Sequence, residues 1–351
     1  MKPNHGLILG KFFPPHAGHL HLIQEARKEC NHLTILVATL NREIIPGKLR
    51  WEWMKELTKN LDAQVIWVQD ENPQEPHEHP DFWNIWKQTI LKHSPAKIDI
   101  IFTSEHYGDP LAEILNTKHR LIDIERKTFP ISASKIRNAP SLYWDFIPEI
   151  ERPYFLKRIV ITGSESVGKT TLSEKLAEQF QTNWVPEYAR EYLEEKKRFV
   201  IREDIPYIAF GHLKSEIEFA KNANRILFLD TDLLTTKIYS EHYFDFCPEW
   251  LKDSAYQLQY DDSLFLDIDV PWEEDPLRDL GHIRSEMKNK FINEMKSAKR
   301  KFHMIRGSFV DREKNAMEKI ESILKEPMNP IYFDPKQISL RNVLSIDLKQ
   351  V

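Results

Sequence analysis

The chain has 351 residues, of which 41% are hydrophobic, and its formal net charge is −5. This length suits two α/β domains better than one core, and the intermixed acidic and basic residues leave no broad basic surface for neutralising nucleic-acid phosphates. The two cysteines, Cys30 and Cys247, are too few for a disulfide framework or a cysteine-based zinc site, as expected in a reducing compartment.

Short apolar runs alternate with helical patterns through the first half of the chain. The predicted strands cover residues 7–10, 33–39, 64–68 and 98–103, and the clearest helices cover residues 17–30 and 50–60. Parallel strands need crossover helices between them, so this alternation predicts a doubly wound parallel sheet.

A second sheet is predicted from residue 157 onward. Its strands cover residues 157–162, 183–185, 226–229, 263–267 and 302–305, and a closing helix is predicted near residues 312–324. Between the two halves, Pro148 and Pro153 interrupt regular structure, while the aromatic residues around them indicate packing. We therefore expect an α/β fold with two doubly wound domains, residues 1–151 and 152–351, divided near Arg152.

The first chemical motif follows the first strand. Residues 10–19 read GKFFPPHAGH and lie between a strand end and an amphipathic helix. Free backbone N–H groups and the helix dipole favour an anion there, and His16 and His19 share one helix face from which they can donate hydrogen bonds to phosphate. For a His-x-x-His pair alone, a proline-stiffened loop with two surface histidines is an equally good interpretation.

A second motif, ISASKIR at residues 131–137, lies near the end of the same half. Ser132 and Ser134 suit a helix start that meets phosphate, and the Arg137 guanidinium can fork onto pyrophosphate oxygens. Taken alone, such a string is more often a capped helix. The two strings in this order resemble the signatures of the nucleotidyltransferase superfamily, which includes nicotinamide-mononucleotide and pantetheine-phosphate adenylyltransferases.

That resemblance implies a reaction without a protein nucleophile. A substrate phosphate attacks the α-phosphorus of ATP, so catalysis consists of alignment and neutralisation of developing charge. The residues assigned to catalysis are Lys11, His16, His19 and Arg137. The residues assigned to binding this ATP are Gly10, Phe12, Phe13, His16, His19, Ser132, Ser134 and Arg137.

A P-loop follows the first strand of the second half. Residues 163–170 read GSESVGKT, a complete G-x-x-x-x-G-K-[ST] string between a strand and a helix. The loop amides would cradle a β-phosphate, Lys169 would bridge the β- and γ-phosphates, and the Thr170 hydroxyl would hold Mg²⁺. The predicted ATP-binding residues are Gly163, Ser164, Glu165, Ser166, Val167, Gly168, Lys169, Thr170 and Thr171.

Acidic residues end two further strands of this half. Asp230 and Asp232 follow an apolar strand, a pattern that delivers a metal-coordinating acid beside a P-loop but is also ordinary turn chemistry. Glu187 is a candidate base or substrate-binding acid, or the start of a solvated helix. We assign Lys169, Asp230 and Glu187 to catalysis and Thr170 and Asp230 to the metal. The sequence leaves open whether Glu187, Asp230 or Asp232 accepts a hydroxyl proton.

Residues 272–284, WEEDPLRDLGHIR, connect a strand to a long polar helix. The string is typical of a mobile lid whose arginines, Arg278 and Arg284, neutralise a transferring phosphoryl group, and we assign Arg278 to the ATP site. A plain exposed charged loop is the alternative.

Both motif sets in this order, with an aromatic segment at residues 143–148 between them, resemble the NadR-type bifunctional enzymes to about residue 325. The resemblance implies phosphorylation of nicotinamide riboside by ATP with Mg²⁺, and adenylylation of nicotinamide mononucleotide to NAD. The chain departs from the family pattern at Ala189 and Pro276, where glycines are expected. The implied substrate-binding residues are Trp83, Trp86, Glu187, Tyr188, Arg190 and Asp232, with core packing the commoner use of a tryptophan.

Two alternatives remain open: an adenylyltransferase–kinase fusion for another phosphorylated metabolite such as phosphopantetheine, and a nucleotide-sensing regulator with vestigial catalysis. The expected partners are ATP, nicotinamide riboside, nicotinamide mononucleotide and NAD, and a homo-oligomer is left open.

We expect no DNA partner, because the first strand begins at Leu7 and leaves no room for the helix-turn-helix that some family members carry. We expect a cytoplasmic protein with no membrane partner, because no signal peptide or spanning stretch is present. Residues 327–351 receive no functional interpretation.

Overall fold

The structure, a computed structural model, describes residues 2–276 and 279–329. The chain divides after Glu151 into two compact units. Among the described residues, each unit contains one five-stranded parallel sheet with helices between successive strands. The predicted fold class, two doubly wound α/β domains, is confirmed. In this part of the chain, none of the helices has both the length and the apolar character needed to cross a bilayer.

The first unit is built around strand β1. The strands are β1 (His5–Gly10), β2 (His32–Ala38), β3 (Ala63–Val68), β4 (Ile100–Thr103) and β5 (Lys118–Leu121). The helices are α1 (Ala17–Glu29), α2 (Gly47–Thr58), α3 (Phe82–His93), α4 (Gly108–Leu115) and α5 (Ala133–Asn138), with 3₁₀ turns at Pro76–Glu78, Pro140–Phe146 and Glu149–Glu151. The strand order is β3-β2-β1-β4-β5. Leu7 and Ile8 of β1 enter different apolar clusters, so both faces of the sheet are covered.

The second unit is built around strand β6. Its strands are β6 (Lys157–Thr162), β7 (Trp184–Val185), β8 (Ile226–Asp230), β9 (Asp262–Leu266) and β10 (His303–Ile305). Its helices are α6 (Arg152–Phe155), α7 (Lys169–Gln179), α8 (Tyr188–Lys196), α9 (Ile205–Ala220), α10 (Leu233–Phe244), α11 (Glu249–Gln257), α12 (Arg284–Ser297) and α13 (Phe309–Ile323), with 3₁₀ turns at Arg202–Asp204 and Gly281–Ile283. The strand order is β10-β9-β6-β8-β7. Strand β6 therefore pairs with β8 on one side, which brings the loop after β6 beside the end of β8.

The structure differs from the predicted elements in a few places. Strand β5 was not predicted, because its sequence, KHRL, carries one apolar residue and lies at the sheet edge. Strand β4 begins two residues later than predicted, since the Asp99 carboxylate accepts the backbone N–H groups of Asn4 and His5, both at 3.0 Å. Helix α13 begins three residues earlier, because Ser308 and Asp311 form a capping box.

Candidate active sites

The histidine motif of the first unit forms the connection from β1 to α1. His16 caps α1, with its Nδ1 accepting the backbone N–H of His19 at 3.4 Å. The two imidazole rings stack with their centroids 3.7 Å apart, and the Phe12 ring meets His19 edge-on at 4.9 Å. The fold therefore brings the two predicted histidines into one rigid pair at the carboxyl end of the central strand.

Burial keeps both imidazoles neutral. Desolvation, with the Arg126 cation as a second cause, lowers the pKa of His16 to about 3. Desolvation, His16 and Arg126 together hold the pKa of His19 well below its ordinary value, and its Nδ1 is buried with no hydrogen-bond partner. At neutral pH the pair can donate and accept hydrogen bonds but supplies no positive charge.

A cavity of about 330 Å³ joins the two predicted motifs of this unit. Its lining includes His16 and His19 from the first motif and Ser132 and Ser134 from the second. Ser132 caps α5 by accepting the backbone N–H of Lys135 at 3.3 Å, which leaves the start of this helix facing the cavity.

Arg126 is a lining residue that no sequence motif identified. It lies in a tight turn held by Asp123, whose carboxylate accepts the backbone N–H groups of Lys127 at 2.9 Å and Thr128 at 3.2 Å. Its guanidinium pairs with Glu105 at 3.1 Å and is close enough to lower the pKa of both histidines. Arg126 thus places a permanent cation beside a neutral histidine pair.

Arg137 holds the first motif in place. Its guanidinium donates to the carbonyl of Phe13 and to Ser134 Oγ, and it lies over the Phe13 ring at 4.3 Å. On the same ring, the Arg50 guanidinium lies at 4.9 Å and donates to the Lys11 carbonyl at 2.7 Å. The Lys11 side chain is exposed, and neither Lys11 nor Arg137 is part of the cavity lining. Their predicted contacts with pyrophosphate stay predictions.

The two tryptophans of α3 have different environments. Trp86 is 8% exposed, packs in the apolar cluster under the sheet and donates from Nε1 to the Pro73 carbonyl at 2.9 Å. The predicted stacking of Trp86 on a substrate ring is therefore corrected to a core role. Trp83 is partly buried beside the same cluster, with the Phe82 ring edge-on at 4.9 Å.

The P-loop of the second unit has the backbone conformation that its glycines allow. Gly163 and Gly168 have φ values of +143° and +83°, and a Cβ at Gly163 would lie 2.8 Å from the Leu266 carbonyl. Helix α7 begins at Lys169, whose ammonium donates to the Ser164 carbonyl at 3.1 Å. The free amides at this helix start make an anion site.

Thr170 and Asp230 meet beside the P-loop. The Thr170 hydroxyl donates to Asp230 Oδ2 at 2.5 Å, across the pairing of β6 with β8. Asp230 is fully buried, and its Oδ1 has no partner. Desolvation and the nearby Glu187 carboxylate raise the pKa of Asp230 to about 6, although the Lys169 ammonium opposes this shift.

Glu187 and Asp232 have different roles in the structure. Glu187 precedes α8 and lines a cavity of about 350 Å³ that includes the P-loop. Asp232 is 4% exposed and caps α10, its Oδ1 accepting the backbone N–H of Thr235 at 3.0 Å, while its Oδ2 pairs with Arg300 at 3.1 Å. Asp232 does not line this cavity, so its predicted substrate contact is corrected to a helix cap with a buried ion pair.

The predicted lid contacts the P-loop. The Ser166 hydroxyl accepts the backbone N–H of Glu273 at 2.8 Å, and Glu165 accepts that of Leu280 at 3.2 Å. The Arg284 guanidinium donates to the carbonyls of Ser166 and Val270, both at 3.1 Å, so it anchors the segment to the P-loop, and its predicted role toward a phosphoryl group stays a prediction. The predicted role of Arg278 lies outside the described residues.

The remaining predicted residues and several unpredicted ones complete this cavity. Tyr188 and Arg190, whose predicted contacts with substrate stay predictions, line it, and Arg190 pairs with Asp275 at 2.9 Å. Sequence reasoning missed the wall formed by α9 and α10, most of whose lining residues are three or four positions apart. They include Ile205, Ile208, His212, Thr235, Thr236, Tyr239 and Tyr243.

Comparisons with known proteins find matches for both units. The family described as citrate lyase ligase C-terminal domain matches residues 8–132, and the family described as AAA domain matches residues 158–312. The trifunctional NAD biosynthesis/regulator protein NadR of Escherichia coli K12 is 32% identical over 313 residues, which is 82% of this chain and 75% of that protein. The NadR protein of Salmonella typhimurium LT2 is 30% identical over 350 residues, 92% of this chain and 84% of that protein.

Two solved structures share the fold. A NadR protein in complex with NAD and AMP-PNP superposes with a TM-score of 0.77 at 20% identity, covering 94% of this chain and 99% of that one. A NadR protein in complex with NR superposes with a TM-score of 0.78 at the same identity and coverage. Identity of 30–32% to NadR proteins over most of the chain places this chain in the NadR family.

Proposed function

We propose that this chain makes NAD in two steps, phosphorylating nicotinamide riboside with ATP in the second unit and adenylylating the resulting mononucleotide with ATP in the first. The observation that carries the proposal is the occurrence, in a member of the NadR family, of both motif sets on the folded chain: the P-loop with its Thr170–Asp230 contact and the stacked histidine pair. The names of the relatives, which specify NAD biosynthesis, support the choice of substrate.

In the phosphorylation step, the riboside 5′-oxygen bonds to the γ-phosphorus of ATP and the bond to ADP breaks. The P-loop amides and Lys169 hold the phosphates in line. Glu187 accepts the proton from the 5′-hydroxyl, because Asp232 is committed to a helix cap and Asp230 is assigned, with Thr170, to the metal. Glu187 lines the cavity and lies close enough to Asp230 to raise its pKa.

Mg²⁺ fits the oxygen atoms beside the P-loop. Asp230 Oδ1 is a buried oxygen with no partner, next to the Thr170 hydroxyl. Mg²⁺ usually takes one or two protein carboxylates together with water and substrate phosphate oxygens. When bound, Mg²⁺ would neutralise charge on the β- and γ-phosphates.

In the adenylylation step, a phosphate oxygen of nicotinamide mononucleotide bonds to the α-phosphorus of ATP and pyrophosphate leaves. The attacking phosphate is already ionised, so no base is required. His16 and His19 donate hydrogen bonds from neutral rings, and Arg126 neutralises developing charge. Lys11 and Arg137 act on the departing pyrophosphate if the loop rearranges around ATP.

One incubation tests both steps. The purified chain is mixed with Mg²⁺, ATP and nicotinamide riboside, and the products are followed by chromatography. Mononucleotide followed by NAD and pyrophosphate is the expected result. Turnover of 4′-phosphopantetheine with none of either nicotinamide substrate would replace the proposal with the other fusion, and binding without turnover would replace it with the sensor. DNA is not among the proposed partners.

A further inference from the structure

One wall of the second unit's cavity is nearly apolar. Helix α9 lines it with Ile205, Ile208 and His212, which are spaced three and four residues apart and so share one helix face. The ring of Tyr188 packs against the backbone of Gly211, where a Cβ would lie 1.9 Å from a ring carbon. Two isoleucines thus share this helix face with one imidazole, and a tyrosine ring packs against the preceding residue.

The His212 imidazole has hydrogen-bonding capacity that the protein does not use. The side chain is 2% exposed, and its Nε2 is buried with no partner. The charged group that faces it is Asp232, but that carboxylate already accepts from Thr235 and pairs with Arg300. Buried polar groups in native proteins nearly always have partners, so we expect a bound molecule to supply one.

The charge of this region favours an uncharged partner. Burial lowers the pKa of His212 to about 4, so the ring is neutral at pH 7 and has one donor and one acceptor. A ligand carboxylate here would add an anion near Asp232 in a cavity already rich in carboxylates. Among the described lining residues, the acidic side chains are Glu165, Glu187, Glu273 and Asp279, and the cations are Lys169 and Arg190.

We propose that the His212 imidazole hydrogen-bonds the carboxamide of the nicotinamide ring and thereby selects carboxamide-bearing ribosides over their carboxylate counterparts. The inference rests on the proposed phosphorylation of nicotinamide riboside. A flat ring with one polar substituent matches the face of α9, where His212 is the polar side chain beside Ile205 and Ile208. A ribose placed here would leave hydroxyl groups unpaired against Ile205 and Ile208.

The test uses His212→Leu and His212→Gln in the full chain. Leucine keeps the apolar volume without a hydrogen bond, while glutamine can still donate and accept. We expect the KM for nicotinamide riboside to rise roughly tenfold in His212→Leu, as for loss of one hydrogen bond, and to stay within about threefold in His212→Gln. The KM for ATP in the phosphorylation step should not change, which would show that the second unit of the variant is folded.

Three ribosides separate this contact from a general packing role. The riboside of unsubstituted pyridinium, which has no carboxamide, should have the same KM with the wild type and His212→Leu. With the wild type, nicotinic acid riboside should be a poorer substrate than nicotinamide riboside, and this difference should disappear in His212→Leu. For a 3′-deoxy nicotinamide riboside, His212→Leu should raise the KM by the same factor as for nicotinamide riboside. Ile208→Val, a control in the same wall, should affect all three ribosides alike.

Other outcomes overturn the inference. An unchanged KM for nicotinamide riboside in His212→Leu would refute the proposed hydrogen bond. A rise in the KM for the pyridinium riboside in the same variant would assign His212 to packing or to contact with the ribose. A wild-type chain that phosphorylates a different nucleoside but not nicotinamide riboside would refute the proposed function and the carboxamide contact together. Normal riboside turnover with no effect of His212→Leu would refute the contact alone.

Discussion

Replacing Asp230 with asparagine should stabilise the second unit without nucleotide while abolishing phosphorylation of the riboside. The carboxylate is fully buried, with Oδ1 unpartnered and Glu187 nearby. Folding raises the pKa of Asp230 from 3.8 to about 6. When the carboxyl group is ionised, this shift lowers the free energy of unfolding by about 3 kcal/mol. The amide oxygen of the introduced asparagine can still accept from Thr170, but the amide nitrogen stays unpartnered, so the expected net gain is about 1–3 kcal/mol.

The pH dependence of the gain follows from the same shift. Because the folded-state pKa is raised, the penalty is fully present above pH 6 and disappears as the pH falls toward the unfolded value of 3.8. Asp230→Asn should therefore raise the melting temperature at pH 7.5 by about 2–4 °C per kcal/mol. At about pH 4 it should bring little or no gain.

Calorimetry of the full chain checks this prediction. Two units can give two melting transitions. Added ATP should raise the melting temperature of the second unit in the wild type but not in Lys169→Ala, and this difference identifies the transition of that unit. Asp253→Asn is the matched control, because Asp253 is an exposed aspartate of α11. The reasoning is refuted if Asp230→Asn lowers the melting temperature at pH 7.5, or if the gain is the same at both pH values.

Four further predictions concern the separate sites. Lys169→Ala should lower riboside phosphorylation by roughly 100-fold or more while sparing adenylylation, and His19→Ala should do the reverse; loss of both activities in one folded variant would contradict independent sites. Burial lowers the pKa of His16 to about 3 and holds that of His19 well below its ordinary value, so neither histidine should add an inflection to the pH profile of adenylylation beyond the one from the mononucleotide phosphate, whose second pKa is about 6; a further inflection that disappears in His16→Gln or His19→Gln would show that a histidine must change charge. Glu187→Gln should lower kcat for phosphorylation by about 10²–10⁴-fold with little change in the KM for ATP, whereas normal turnover would return the role of base to Asp230. Trp86→Phe should lower the unfolding free energy of the first unit by about 1–3 kcal/mol without changing the KM for mononucleotide, and a large rise in that KM would restore the stacking role.

The two contiguous motifs could be interpreted from the sequence because their function is local. In residues 163–170, the glycines permit the positive φ values, and the following helix supplies its amides without help from distant residues. In residues 10–19, a strand end, a capping histidine and a helix start all lie within ten positions. Alternation of strands and helices likewise predicted two parallel sheets, since parallel pairing requires crossovers.

Only the tertiary structure decided which side chains face each other across elements. Asp230 and Asp232 lie two positions apart on the chain, yet strand pairing turns the first toward Thr170 and the cap of α10 turns the second toward Arg300. Arg126 and His212 belong to no sequence motif. Arg126 lines the first cavity because it lies in the turn held by Asp123, and His212 lines the second because one face of α9 borders that cavity. A sequence specifies local backbone geometry directly, whereas contacts between distant residues depend on the register and packing of whole elements.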